Sequence, residues 1–289
     1  MLLKAPAPPT PGRRVAGGLA TVLASAAGNQ VGAAVGAHAF PAIGPAGVVA
    51  VRQFVAAAVL LPVARPNLLR FRWPQWWPTI LLGLVFATMN LSLYTAVDRV
   101  GLGLAVTLEF LGPLAVALGG SRTRMDVLCA LGAGAGVYVL VLPHGGSDWP
   151  GIGAGLLAAG CWAAYILLNR MLGRRLPGLE APAAATTVSV LLYLPVLGWL
   201  LAEHRMTGTA LLAAIGTGVL SSVIPYAADL IALRTVPPRF FGVLMSVHPV
   251  FAALAGLIIL GQALAVHEWL GILAVVGVNL VAVLRMSRV

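Results

Sequence analysis

Apolar residues run through the chain in long unbroken stretches, not in strand-like alternation or a narrow heptad seam. Ten such stretches lie near 15–37, 43–64, 76–97, 101–119, 125–143, 150–171, 182–202, 209–232, 239–260 and 267–284. A helix needs about 20 apolar residues to cross a hydrocarbon core of roughly 30 Å. In lipid only helices and closed barrels satisfy their own backbone polar groups. Continuous apolar runs favour helices over strands. The pattern therefore predicts an all-α membrane protein of ten transmembrane helices.

The basic residues between the runs orient it. With the N-terminus in the cytoplasm, the cytoplasmic segments hold Lys4, Arg13, Arg14, Arg65, Arg70, Arg72, Arg122, Arg124, Arg170, Arg174, Arg175, Arg234, Arg239, Arg285 and Arg288. The opposite side receives only Arg99 and Arg205, and Arg52 falls inside the second run. Losing or adding one span would scramble that bias, so it supports the count as well as the orientation. Both termini are expected in the cytoplasm. Trp73, Trp76, Trp77 and Trp149 stand at run ends, where interfacial aromatic residues belong.

Composition agrees with the pattern. The 289 residues are 60% hydrophobic and 9% charged, with a mean hydropathy of +0.97. Soluble domains carry about 25% charged residues, so these charges are too few to coat a globule in water. The net charge of +10 does not indicate nucleic acid, because the basic residues are spread over short loops and do not gather on one soluble face. Cys129 and Cys161 lie in apolar runs without a CxxC pair and are expected as packed thiols. Ala24-Ser25-Ala26 resembles a signal-peptidase site. The apolar run continues past it to about Ala37, however, which favours a retained first span behind a disordered, Pro-rich leader.

The ten runs divide into five and five around Pro143–Pro150. The expected domains are a leader (1–14), a first repeat (15–143), a second repeat (150–284) and a cytoplasmic tail (285–289). Leu108–Leu118 (LEFLGPLAVAL) aligns with Leu244–Leu254 (LMSVHPVFAAL) at an offset of 136, which matches Pro113 to Pro249 and Glu109 to Met245. Weaker matches link Leu23–Gly28 with Leu156–Gly160, and Gly136–Leu142 with Gly277–Val283. An odd number of spans per half makes the halves inverted, an arrangement typical of secondary transporters, whose substrate site lies near the midplane where the repeats meet. No P-loop, nucleophile elbow or zinc-ligand spacing occurs. The expectation is a transporter and not an intramembrane enzyme, with no cofactor and no metal.

Polar residues inside the spans are the candidate site. Glu109 interrupts an apolar run at mid-span, where a charge costs about 2.5–3.5 kcal/mol on insertion scales. Two uses are open for it: a cavity-facing carboxylate that takes an amine or a proton, or a structural ion pair with Arg52. Pro113 removes the hydrogen bond to the carbonyl four residues earlier, which is Glu109's own; Pro249 does the same to Met245. These prolines are either plain kinks or part of a site. His248 either titrates or packs as a polar residue. Asp229, one turn from Tyr226, is either functional or solvated near the cytoplasmic end. Gln30, Asn90, Tyr94, Trp162 and Tyr165 either contact substrate or join helices, the commoner use of such residues. Gly28, Gly32 and Gly36 make a smooth ridge read as close helix packing.

Several runs resemble the drug/metabolite transporter superfamily in its EamA-type branch, and within it the bacterial inner-membrane threonine/homoserine exporters. They are VVAVRQ at Val48–Gln53, MNLSLY at Met89–Tyr94, GLAVTLEFLGPLAVAL at Gly103–Leu118, CWAAYIL at Cys161–Leu167, IPYAADLIAL at Ile224–Leu233 and FGVLMSVHP at Phe241–Pro249. The resemblance implies a ten-helix inverted repeat, an inner-membrane location and export of small amino acids, with protons as a further partner beside the substrate and the bilayer. One departure stands out: the family commonly places Glu where this chain has His248, whereas Asp229 keeps an acid where one is usual. A second substrate class, aromatic, nucleoside-like or lipophilic cationic metabolites, fits the same fold through Trp162 and Tyr165. Oligomeric state is not encoded legibly.

Overall fold

The computed structural model describes residues 11–119, 124–142, 147–225 and 245–286. Its helices are α1 (Pro11–Ala37), α2 (Phe40–Ala64), α3 (Trp73–Val100), α4 (Leu102–Glu109), α5 (Leu111–Gly119), α6 (Arg124–Val141), α7 (Trp149–Leu172), α8 (Glu180–Ala202), α9 (Gly208–Gly218), α10 (His248–Leu260) and α11 (Val266–Met286). A π-helical turn, Val219–Val223, extends α9. Among the described residues every regular element is helical. The chain is an all-helical membrane protein: α2, α3, α7, α8 and the Val266–Leu284 part of α11 are long and apolar enough to cross a bilayer, and shorter apolar helices lie at Leu102–Val116, Val127–Val141, Gly208–Val223 and His248–Leu260. Residues 1–10 of the leader, the end of the eighth predicted span and the start of the ninth lie outside the described residues; the last four leader residues, 11–14, expected to be disordered, are the first turn of α1.

Local chemistry sets the helix ends. Proline occupies the first or second position of α2, α3, α7 and α10, where its missing N–H costs no hydrogen bond. Thr207 caps α9 by accepting from the Ala210 N–H. Asp148 caps α7: its Oδ1 accepts from the Gly151 N–H at 2.8 Å and from Arg99 Nε at 3.0 Å. The Gly151 N–H and then Arg99 hold this carboxyl below its ordinary range. The carboxylate therefore stabilises the fold above the ordinary value of about 3.9, and that contribution disappears as pH falls through the depressed value. Asp148→Asn keeps a capping oxygen but loses the charge. Its melting temperature should trail the wild type at neutral pH and converge with it in acid; a gap unchanged from neutral pH to pH of about 3 would refute the assignment.

Contacts at both ends fix how α3 and α7 run. Arg175, just past α7, donates to the Pro74 carbonyl at 2.5 Å and lies 5.7 Å over the Trp77 ring at the start of α3. At the other end of the pair, Arg99 meets Asp148. The two helices are thus antiparallel, and the basic segments around residues 70–72 and 170–175 share one end of the bundle. The other partnerships are α1 with α9 and α10, α2 with α8 and α9, α3 with α8, α4 with α7 and α10, α5 with α7, and α6 with α11.

Small residues permit the tightest approaches. A Cβ on Gly32 would fall 2.6 Å from Leu220 Cβ, and one on Gly36 would fall 2.5 Å from Thr217 Oγ1. The ridge on α1 is therefore the bed for α9 and its π turn, and it is sealed by Thr217 Oγ1 donating to the Gly32 carbonyl (2.8 Å) and Ser221 Oγ to the Asn29 carbonyl (2.6 Å). Among the described residues nothing lies within 4 Å of a Cβ on Gly28, so the packing described here uses Gly32 and Gly36.

Candidate functional site

The fourth span is two helices. α4 ends at Glu109, Phe110 stands between, and α5 begins at Leu111. The break falls where Pro113 withholds the donor that the Glu109 carbonyl would otherwise use. The same sign recurs at the matching place in the chain: Ser246–Val247 form a turn, and α10 starts at His248 just before Pro249. Each broken span thus delivers a polar side chain, Glu109 or His248, from the interruption itself.

These breaks border a cavity of about 150 Å³. α1 contributes Asn29, Gln30 and Ala33, and α2 contributes Arg52. α3 supplies Phe86, Met89, Asn90 and Leu93. Val106, Glu109 and Phe110 come from the fourth span, Trp162 and Tyr165 from α7, and His248 from α10. Drug-sized ligands occupy about 300–1,000 Å³, so this cavity suits a small metabolite. Six of the nine substrate residues expected from sequence line it: Gln30, Asn90, Glu109, Trp162, Tyr165 and His248. Tyr94 does not; it is completely buried behind Arg52. Tyr226 and Asp229 lie outside the described residues.

Arg52 is anchored away from Glu109. Its Nε donates to Ser222 Oγ at 3.0 Å, Nη2 to the Ser221 carbonyl at 2.9 Å, and Nη1 to Tyr94 Oη at 3.2 Å. The structural ion pair with Arg52, one of the two uses open for Glu109, is not formed; among the described residues only Arg99 and Asp148 come within 4.0 Å as an ion pair. The cause is the π turn. Its wider i→i+5 winding presents Ser221 and Ser222 to the guanidinium, and these two with Tyr94 take three of its five N–H donors. The adjacent serines in the mostly apolar eighth span were the sequence signal for this anchor. The cavity therefore carries one basic and one acidic side chain that make no direct contact with each other, the first partly and the second almost wholly removed from water. Glu109 is 6% exposed.

Gln30 and His248 form a second polar pair. Gln30 Nε2 and His248 Nδ1 are 3.0 Å apart, linking α1 to α10. The His248 ring stacks on Phe110 at 5.4 Å, and Phe110 meets the edge of Trp162 at 4.7 Å. Phe86 lies 5.5 Å from Tyr165. Asn90 Nδ2 donates back to the Phe86 carbonyl at 2.8 Å. The aromatic walls of Phe86 and Phe110, and the polar Asn29 beside Gln30, were not picked out from sequence. Phenylalanine in an apolar span carries no mark of where it faces.

A small polar cavity walled by apolar membrane helices and bordered by two helix breaks is the kind of site that membrane transporters carry. Residues 149–283 match the model of the EamA-like transporter family. The chain is 34% identical over 263 residues to the threonine/homoserine exporter RhtA of Salmonella typhimurium, covering 90% of this chain and 88% of that protein. It is 32% identical over 271 residues to RhtA of Escherichia coli K12, covering 92% and 91%. A shorter match, 32% over 177 residues, reaches the protein RarD of Streptomyces exfoliatus. A crystal structure 21% identical in sequence superposes with a TM-score of 0.61, covering 96% of this chain and 98% of that one, a likeness of fold. The chain belongs to the EamA-like transporter family.

Proposed function

We propose that this protein exports small amino acids of the threonine/homoserine kind across the bacterial inner membrane. In this reading two inverted five-helix repeats, residues 15–143 and 150–284, rock about the central cavity in alternating access, with both termini in the cytoplasm and protons coupled to substrate. The observation that carries the substrate class is the split charge of the cavity. A zwitterion offers an ammonium to Glu109 and a carboxylate to the Arg52 side, and each charge is matched without help from water. The exporters to which the chain is similar add the direction and the amino-acid class.

Helix partnering supports the repeat. Let α1, α2, α3, α4–α5 and α6 exchange with α7, α8, α9, α10 and α11. The contact of α1 with α10 then becomes that of α7 with α4, α2 with α9 becomes α8 with α3, and α3 with α7 becomes α9 with α1; every one of these contacts exists. The matched breaks before Pro113 and Pro249 obey the same exchange. Interrupted spans at a repeat interface are the usual seat of a transport site.

Four aromatic rings in the cavity wall favour a second substrate class, aromatic or lipophilic cations held by stacking and cation–π contact. Counterflow in proteoliposomes separates the two. Labelled threonine should exchange with internal threonine and homoserine, while cationic dyes fail to compete. Dye competition without any amino-acid exchange would move the assignment to the second class.

A further inference from the structure

We infer that His248 reads the side-chain oxygen of the transported amino acid, and that Gln30 fixes the ring as the hydrogen-bond donor for that task. This inference rests on the amino-acid reading above. The side-chain amide nitrogen of Gln30 carries only donors, so at 3.0 Å it donates to His248 Nδ1. A neutral imidazole that accepts at one nitrogen carries its proton on the other. Nε2–H is therefore a donor, and among the described residues it meets no acceptor. The ring is 6% exposed, lines the cavity and stacks on Phe110 at an interplanar angle of 29°. Its stacking on Phe110 and its bond to Gln30 fix both the plane of the ring and the tautomer.

Three other polar side chains of the cavity have tasks of their own. Glu109 suits an ammonium, and Arg52 with its serine and tyrosine partners marks the carboxylate side. Asn90 spends its amide on the Phe86 carbonyl. Among the described residues that line the cavity, the fully buried donor without a partner is that of His248, and a zwitterion with an aliphatic side chain has no oxygen left to give it. A hydroxyl on the side chain does. A buried donor built for a hydroxyl discriminates strongly against the analogue without one, because that analogue leaves the donor unpaired.

The test uses isosteric ligand pairs, threonine against valine and homoserine against norvaline, in counterflow competition with the reconstituted full chain. Wild-type protein should prefer each hydroxyl member. The amide of glutamine reaches about as far as Nε2 of histidine, whereas that of asparagine reaches only as far as Nδ1. His248→Gln should therefore keep the preference, while His248→Asn and His248→Phe lower it by about 5- to 10-fold, the value of one neutral hydrogen bond. A wild type that takes threonine and valine equally overturns the inference but leaves amino-acid transport standing. So does an undiminished preference in His248→Asn. Absence of all amino-acid exchange overturns the transport reading itself, and the role of His248 with it.

Discussion

Glu109→Gln protein inserts, folds and melts no lower than the wild type, yet loses transport. The two effects part company because the carboxylate sits in an apolar span and, among the described residues, has no ion-pair partner within 4.0 Å, so its charge makes no direct stabilising contact there. A neutral amide of nearly equal size relieves the cost of burying that charge, about 2.5–3.5 kcal/mol at mid-span on insertion scales. The substrate ammonium, in contrast, loses a charged hydrogen-bond partner worth about 1.5–3 kcal/mol, roughly a 10- to 100-fold loss of affinity. Counterflow should fall by that order at sub-saturating substrate. An amide also does not titrate, so it cannot take up and release a proton at this position, and an imposed pH gradient should no longer drive accumulation at any substrate concentration. Wild-type rates in correctly inserted protein would remove Glu109 from the mechanism. A large drop in melting temperature would mean instead that the carboxylate is structural.

The second large effect belongs to Gly112, whose substitution by alanine should destabilise the protein while the same change at Gly160 does not. A Cβ at Gly112 would lie 2.2 Å from the Ala159 carbonyl oxygen and 3.2 Å from Ala159 Cα. Both are backbone atoms of α7 and cannot rotate away. Ordinary contact begins near 3.4 Å, so α5 and α7 must separate by about 1 Å, an overpacking strain of typically 1–3 kcal/mol. Gly160, in the same helix α7, has nothing within 4 Å of its Cβ position. Alanine there removes a helix-interior glycine and should stabilise by about 0.5–1 kcal/mol. Gly112→Ala should also impair transport, because it pushes on the Phe110 turn and thus on Glu109 and the Trp162 contact. Thermal unfolding in detergent checks both signs side by side; equal shifts for the two alanines would contradict the packing described here.

Much of this was legible in the chain. Runs of about 20 apolar residues can satisfy their backbones in lipid only as helices, so the helices could be placed to within a few residues. The break after Glu109 was legible too, because Pro113 acts locally on a carbonyl four residues away. Glu109, Gln30 and His248 stood out since polar groups are costly in apolar spans, wherever they face.

What the sequence could not determine is partnership between distant residues. Arg52 and Glu109 looked like an ion pair because they are opposite charges in an apolar setting. Only the packing of α2 against the π turn shows that Ser221, Ser222 and Tyr94 hold the guanidinium. Asn90 and Tyr94 share a helical face by spacing, yet one lines the cavity and the other is sealed behind Arg52. Phe110 and Phe86 became walls of the cavity through contacts across helices that apolar composition does not encode. The periodicity and cost of burying single residues in lipid are local properties, written in the order of residues. Which donors meet which acceptors across 218 residues of chain, as Gln30 meets His248, is decided only when the helices pack.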